Sequence, residues 1–190
     1  AYANNKTAYI AFAKRYAKMI GNYVEGEIVG MTEKMRSDMV GSMPTANRST
    51  GNTLRTYRTA IAANAEYSNF FTAVQDVAVV QSAINASANR VSGIYEKEVG
   101  VRLQMIANTT SIIFFDTNTD GYTNSNGGTM LGQNQSILDN IIGNGNYDLG
   151  HVFSTGGGGI ASLGSICVSS RKAQGVTGSN SPVGDPFDVD

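Results

Sequence analysis

The chain has 190 residues, of which 41% are hydrophobic and 15% charged, with a net charge of −1. The apolar share suffices for a core, which excludes wholesale disorder, and a pI near 5.8 excludes the basic footprint of a nucleic-acid binder. No run of about 18 apolar residues is present to span a membrane. A single Cys167 and a single His151 exclude an internal disulfide framework, a Cys-rich zinc module and any site needing two histidines from these residues.

The composition shifts along the chain. Residues 1–58 hold nine Lys/Arg and four Asp/Glu, and the remainder holds five and eleven. Five of seven Met precede residue 50, and fifteen of 22 Gly follow residue 120. The start reads as helical. Tyr9, Phe12, Tyr16, Met19 and Tyr23 fall on one helical stripe, and Ile28, Met31, Met35 and Met39 continue it after Gly21 and Gly26. Gly41 to Gly51, with Pro44, reads as a linker. Residues 1–50 are therefore a helical N-terminal segment. It is either a docking or inhibitory prosegment, or a hairpin packed on its own domain or on a second copy.

A strand is expected from Leu54 to Ala63. Thr72-x-x-Gln75 has the form of a capping box, and behind it Val74, Val77, Ile84, Val91 and Tyr95 mark one face of a long helix over Ala73 to Lys97. Val99, Val101, Leu103 and Met105 alternate with polar residues as in a half-buried strand. Ile112 to Phe115 reads as a short strand and Gln133 to Ile142 as a short helix ended by Gly143. His151 to Phe153 and Gly159 to Cys167 read as strands. This order predicts an α/β (α+β) layer with one mixed sheet.

Chemistry is sparse. Asp116-Thr-Asn118-Thr-Asp120-Gly121 spells the opening of a calcium loop, with oxygens at positions 1, 3 and 5 and Gly at 6. Position 12 is Gly127 in place of a bidentate Glu. Asp116, Asn118 and Asp120 are thus weak calcium candidates, and the alternative is a turn in which they satisfy local backbone groups. Gly156 to Gly159 fits no phosphate-loop spacing. His151 is a structural histidine or an isolated general base, and Cys167 has no His base nearby in sequence. No complete catalytic site is spelled out.

Several stretches together resemble a known family. They are Leu54-Arg55-Thr56-Tyr57-Arg58-Thr59-Ala60, Asn89-Arg90-Val91-Ser92-Gly93-Ile94-Tyr95-Glu96, Asn124-Ser125-Asn126-Gly127-Gly128 and Tyr147-Asp148-Leu149-Gly150-His151-Val152-Phe153. Gly159-Ile160-Ala161-Ser162-Leu163-Gly164-Ser165-Ile166-Cys167, Gly175-Val176-Thr177-Gly178 and Ser181-Pro182-Val183-Gly184-Asp185-Pro186-Phe187-Asp188 complete the set. Over residues 52–190 the chain resembles the catalytic domain of bacterial secreted zinc metallopeptidases of the reprolysin (adamalysin) type, which are metzincins.

The resemblance implies a metzincin-like upper subdomain: a mixed twisted sheet, a long helix and an exposed edge strand. It also implies that the zinc helix H-E-x-x-H-x-x-G-x-x-H, with its three His ligands and general-base Glu, follows Asp190 and is absent from these residues. This chain alone is then expected to be inactive and to bind no zinc, and its missing partner is the C-terminal half of the catalytic domain. By the same resemblance the Gly159–Cys167 strand pairs with an extended protein or peptide substrate. Ile160, Ala161, Ser162, Leu163 and Gly164 are the substrate-binding candidates. Cys167 matches a family cysteine that often pairs further along the chain. Secretion is expected. Two other classes stay open: a non-catalytic peptide-binding module using the same edge, and a secreted assembly domain held by the Met-rich helices.

Overall fold

A computed structural model describes residues 53–156 and 158–188. The expected N-terminal helices and linker lie outside the described residues. Strand β1 spans Arg55–Ala63, helix α1 Ala65–Phe71, helix α2 Val77–Val99 and strand β2 Val101–Met105. A 3-10 turn at Thr109–Ile112 leads on to helix α3 at Gly127–Leu138, which continues into a π turn at Asp139–Gly143. Strands β3 (Leu149–Ser154), β4 (Gly158–Ala161) and β5 (Gly175–Gly178) follow, then a short helix α4 at Asp185–Asp188.

The five strands form one mixed sheet in the order β2-β1-β3-β5-β4. β1 pairs in parallel with β2 through its first half and with β3 through its second, and Thr59 lies in both registers. β5 runs parallel to β3, and β4 returns antiparallel to β5. Parallel neighbours require crossovers, and α2 supplies the one from β1 to β2.

The second half of β1, Ala60-Ile61-Ala62-Ala63, is buried on both faces. Ala60 and Ala62 join Val152 and Val176 in packing against Met130 and Leu138 of α3 and against Tyr122 and Tyr147. Ile61 and Ala63 join Phe153 in packing against Val80, Ile84 and Ala88 of α2, with Tyr67 and Phe187. A central parallel strand sandwiched in this way reads as a continuous apolar run rather than an alternation. Helix α4 is tied to α2 by Arg90, which pairs with Asp185 and Asp188, and by Ser87 Oγ, which donates to Asp188 at 2.5 Å.

Several expected boundaries move, each for a local reason. Thr72 does not open the long helix; it caps the end of α1, and its hydroxyl accepts from Val74 N and Asp76 N. Gln75 has a left-handed φ of 55°, so the helix begins after it. Asp76 is the N-cap, its carboxylate accepting from Ala78 N at 2.9 Å. Val74 is 84% exposed, and the buried stripe is Val80, Ile84, Ser87, Ala88 and Ser92. Small residues let α2 lie close to β2, where Ser92 Oγ accepts from Leu103 N at 3.0 Å. Val99 ends α2 instead of opening β2.

Ile112 to Phe115 contributes only a single bridge, Ile113 to Ala63, after the 3-10 turn. Helix α3 begins six residues earlier than Gln133, at Gly127, because Asn126 caps it through Thr129 N at 3.0 Å. The strand expected over Gly159–Cys167 ends at Ala161.

His151 stands on β3, its ring edge-to-face with Phe153 at 5.8 Å and its Nε2 2.8 Å from Thr177 Oγ1. The ring so crowds β5 that a Cβ at Gly175 would lie 2.5 Å from His151 Nδ1. Desolvation pushes its pKa down to about 4, so the folded protein keeps it neutral. The unfolded chain takes up its proton near pH 6.5 and therefore binds more protons between pH 6.5 and 4. Stability should fall as pH drops through that window, by about 2–3 kcal/mol at pH 4.5. Urea unfolding of wild type and His151→Gln should show the gap between them shifting by that amount from pH 7.5 to 4.5. A gap independent of pH would contradict an imidazole held neutral in the fold.

Candidate functional site

Among the described residues β4 ends the sheet and has a neighbour on one side only. All four of its residues are exposed. Its partner residues are Gly158 with Gly178, Gly159 with Thr177, Ile160 with Val176 and Ala161 with Gly175. Just beyond it, Ser162 N donates to Gln174 O at 2.9 Å. That bond sets the phase of the ladder, because antiparallel residues alternate between hydrogen-bonded and non-bonded pairs. Gly158, Ile160 and Ser162 turn their backbone N–H and C=O toward β5. Gly159 and Ala161 turn theirs to solvent.

Of the five residues singled out by sequence, Ala161 therefore offers ladder groups and Ile160 offers a half-exposed side chain. A Cβ at Gly127, the first residue of α3, would lie 3.0 Å from Ile160 Cγ2. Ser162, Leu163 and Gly164 lie past the strand in a turn, where Ser162 Oγ donates to Gln174 Oε1 at 2.6 Å, Leu163 is 91% exposed and Gly164 has a φ of 62°. Gly159 was missed because a glycine run carries no side-chain signal. Residues 154–170 contain no charged side chain. The edge thus presents backbone polar groups flanked by apolar Ile160, Leu163 and Ile166.

The exit loop from β4 is held by buried polar groups. Lys172 is 5% exposed, and its ammonium donates to the carbonyls of Asn144 and Tyr147 and stands 4.2 Å over the Tyr147 ring. Gln135 on α3 donates to Ser169 O at 3.2 Å and accepts from Ala173 N at 2.8 Å. Asp139 accepts from Tyr147 Oη, Gln135 Nε2 and Asn144 Nδ2. Burial pushes the Asp139 carboxyl up, but those hydrogen bonds and nearby Lys172 outweigh it and leave the pKa below the usual carboxylate range. Burial and the Asp139 hydrogen bond raise the Tyr147 phenol.

The entry to β4 is held by Asn124. Its Oδ1 accepts from Asn64 Nδ2 at 2.9 Å and from Thr155 N and Gly156 N at 3.1 Å each, while its Nδ2 donates to Thr155 Oγ1 at 3.0 Å. A Cβ on Gly156 would lie 1.8 Å from Asn124 O, and one on Gly178 would lie 1.7 Å from Gly156 O. Only glycine fits at either position.

Asp116, Asn118 and Asp120 act as turn residues. Asp116 accepts from Asn118 N, Asn118 Nδ2 and Thr119 Oγ1, and the bond from the Asn118 backbone is the main cause of its lowered pKa. Asp120 is 3% exposed; its two oxygens accept from Ala65 N and Tyr122 N. Cys167 is exposed in a left-handed conformation, and its N–H donates to Asp148 O at 2.9 Å. Among the described residues no three His, Cys, Asp or Glu side chains gather to hold a metal, and His151 Nε2 is already engaged by Thr177. These residues do not fit a zinc site, and no step through zinc is assigned to them. No helix among them is long and apolar enough to cross a membrane.

A family model described as metallo-peptidase family M12B, reprolysin-like, matches residues 81–190. It begins inside α2 and takes in β2, α3, β3, β4 and β5, leaving β1 and α1 outside. No curated protein matches the chain. A match over more than half of the chain, on a mixed sheet that ends in an exposed antiparallel edge, makes this chain a member of the reprolysin-like M12B metallopeptidase family.

Proposed function

We propose that this chain is the substrate-pairing part of a secreted bacterial zinc endopeptidase. An extended protein segment adds to β4 as a further antiparallel strand, with its backbone paired to Gly159 and Ala161. The observation that carries this reading is the uncharged edge whose outward N–H and C=O groups have no partner strand among the described residues. Such an edge invites pairing, and soluble proteins usually guard it with charge or proline; neither guards it here. Backbone pairing accepts many side chains, so broad specificity follows, trimmed by contact with Ile160, Leu163 and Ile166.

The zinc ligands and general base belong, in this reading, to an H-E-x-x-H-x-x-G-x-x-H segment that follows residue 190 in the encoded protein. The support is family membership combined with the single histidine of these 190 residues. Bound zinc supplies Lewis-acid and water-activating chemistry; the residues described here bind and orient the peptide. A second reading, peptide capture without catalysis, is favoured by a docking edge that is complete without any ligand set. The encoded longer product should hydrolyse casein and lose that activity to a zinc chelator. A product that binds peptide but shows no chelator-sensitive hydrolysis would favour the second reading.

Proline dissects the edge itself. At Ala161 it removes an outward N–H and leaves the β5 ladder intact, and edge strands tolerate proline at such positions. Ala161→Pro should weaken binding of an extended peptide by roughly tenfold or more while shifting stability by less than about 1 kcal/mol. Ile160→Pro should instead lower the thermal midpoint, because it removes an inward bond. Peptide titration by fluorescence anisotropy, read beside thermal unfolding, checks both. Undiminished binding by Ala161→Pro would remove the edge from the site.

A further inference from the structure

We propose that Asn124 is the positioning residue that sets β4 in register for peptide capture, an inference that rests on β4 being the capture edge. The strand has no core of its own, since all four of its residues are exposed. Its place is therefore set by a short ladder to β5, by the approach of Ile160 to the start of α3 and by what holds its two ends. At the entry, one side-chain amide carries the load. Asn124 Oδ1 gathers three N–H donors, from Asn64 after β1 and from Thr155 and Gly156 after β3, and Nδ2 returns a bond to Thr155 Oγ1.

Gly156 is seated between the Asn124 backbone and the end of β5, and neither it nor Gly178 leaves room for a Cβ. A turn so tightly seated cannot slide without losing the Asn124 bonds. A one-residue slip of β4 would turn Gly159 and Ala161 inward and leave the wrong groups facing the peptide. Two of the three bonds on Oδ1 hold the entry to β4 directly, at Thr155 and Gly156, and the third ties Asn124 itself to Asn64 at the end of β1. The working atom is the acceptor oxygen. An aspartate in its place keeps that acceptor, and Thr155 Oγ1 can then donate to it.

The test uses the full chain and a fluorescein-labelled decapeptide of Ser, Val and Thr as probe. Asn124→Ala should weaken peptide binding about tenfold and speed amide exchange at residues 155–161, with exchange in β1 and α2 unchanged. Asn124→Asp should restore binding to within about threefold and restore protection. Wild-type Thr155 and Gly156 amides should be protected, which tests the clamp even if Asn124→Ala does not fold. Wild-type binding by Asn124→Ala, an Asp variant as weak as the Ala variant, or unprotected Thr155 and Gly156 amides would each overturn the clamp. Wild-type protein that ignores the peptide overturns the edge reading instead, and the exchange comparison then judges the clamp alone.

Discussion

A strand whose four residues are all exposed depends on what holds its ends, and β4 is such a strand. Apolar burial, about 25 cal/mol per Å2 of surface removed from water, secures β1 and β3 between α2 and α3 but gives β4 almost nothing. Polar contacts take over at both ends of it. Asn124 anchors the entry, while Lys172, Gln135 and Ser162 anchor the exit. These anchors are costly to bury unless every partner is satisfied. Here Asp139, Tyr147, Gln135 and Asn144 form a connected network around the Lys172 loop. The outcome is an edge anchored at both ends and without a second neighbouring strand among the described residues.

Strong apolar periodicity made much of this fold legible in the sequence. A strand over Leu54 to Ala63, the alternation of Val101, Leu103 and Met105, and a long helix between them are all expected from the sequence, and the structure joins them as β1, α2 and β2. The start of α2 was hidden by chemistry that a capping pattern does not resolve. Thr72 caps backwards onto α1, and Gln75 takes a left-handed φ that no propensity announces. The buried stripe of α2 was hidden because Ser87, Ala88 and Ser92 are small rather than apolar. Helix α1 is seven residues long and aromatic, and β5 is four residues with glycine at each end; neither is long enough to show a period.

The site was legible only through resemblance. Ile160 and Ala161 carry no recognisable chemistry as a pair, since an edge works through backbone groups that every residue possesses. Register decides which of those groups face outward, and register belongs to the pairing with β5 rather than to any single residue. The anchors were invisible for a related reason. Asn124 is one of 18 asparagines, and its contacts reach Asn64 and Thr155, distant in sequence. The calcium-like loop shows the converse. Its spacing matches the opening of a calcium loop, and the oxygens of Asp116 and Asp120 accept hydrogen bonds from Ala65, Tyr122, Asn118 and Thr119.

Family membership makes peptidase chemistry the frame for this sheet, and the role proposed for β4 is to pair with a protein substrate. The most direct measurement is a two-dimensional amide NMR spectrum of the labelled chain titrated with an unlabelled extended peptide. Pairing along β4 predicts the largest shifts at the amides of Gly159 and Ala161, smaller ones at Ile160, and antiparallel cross-strand contacts from the peptide to these residues. Shifts centred elsewhere on the sheet, or a spectrum unmoved by the peptide, would contradict it.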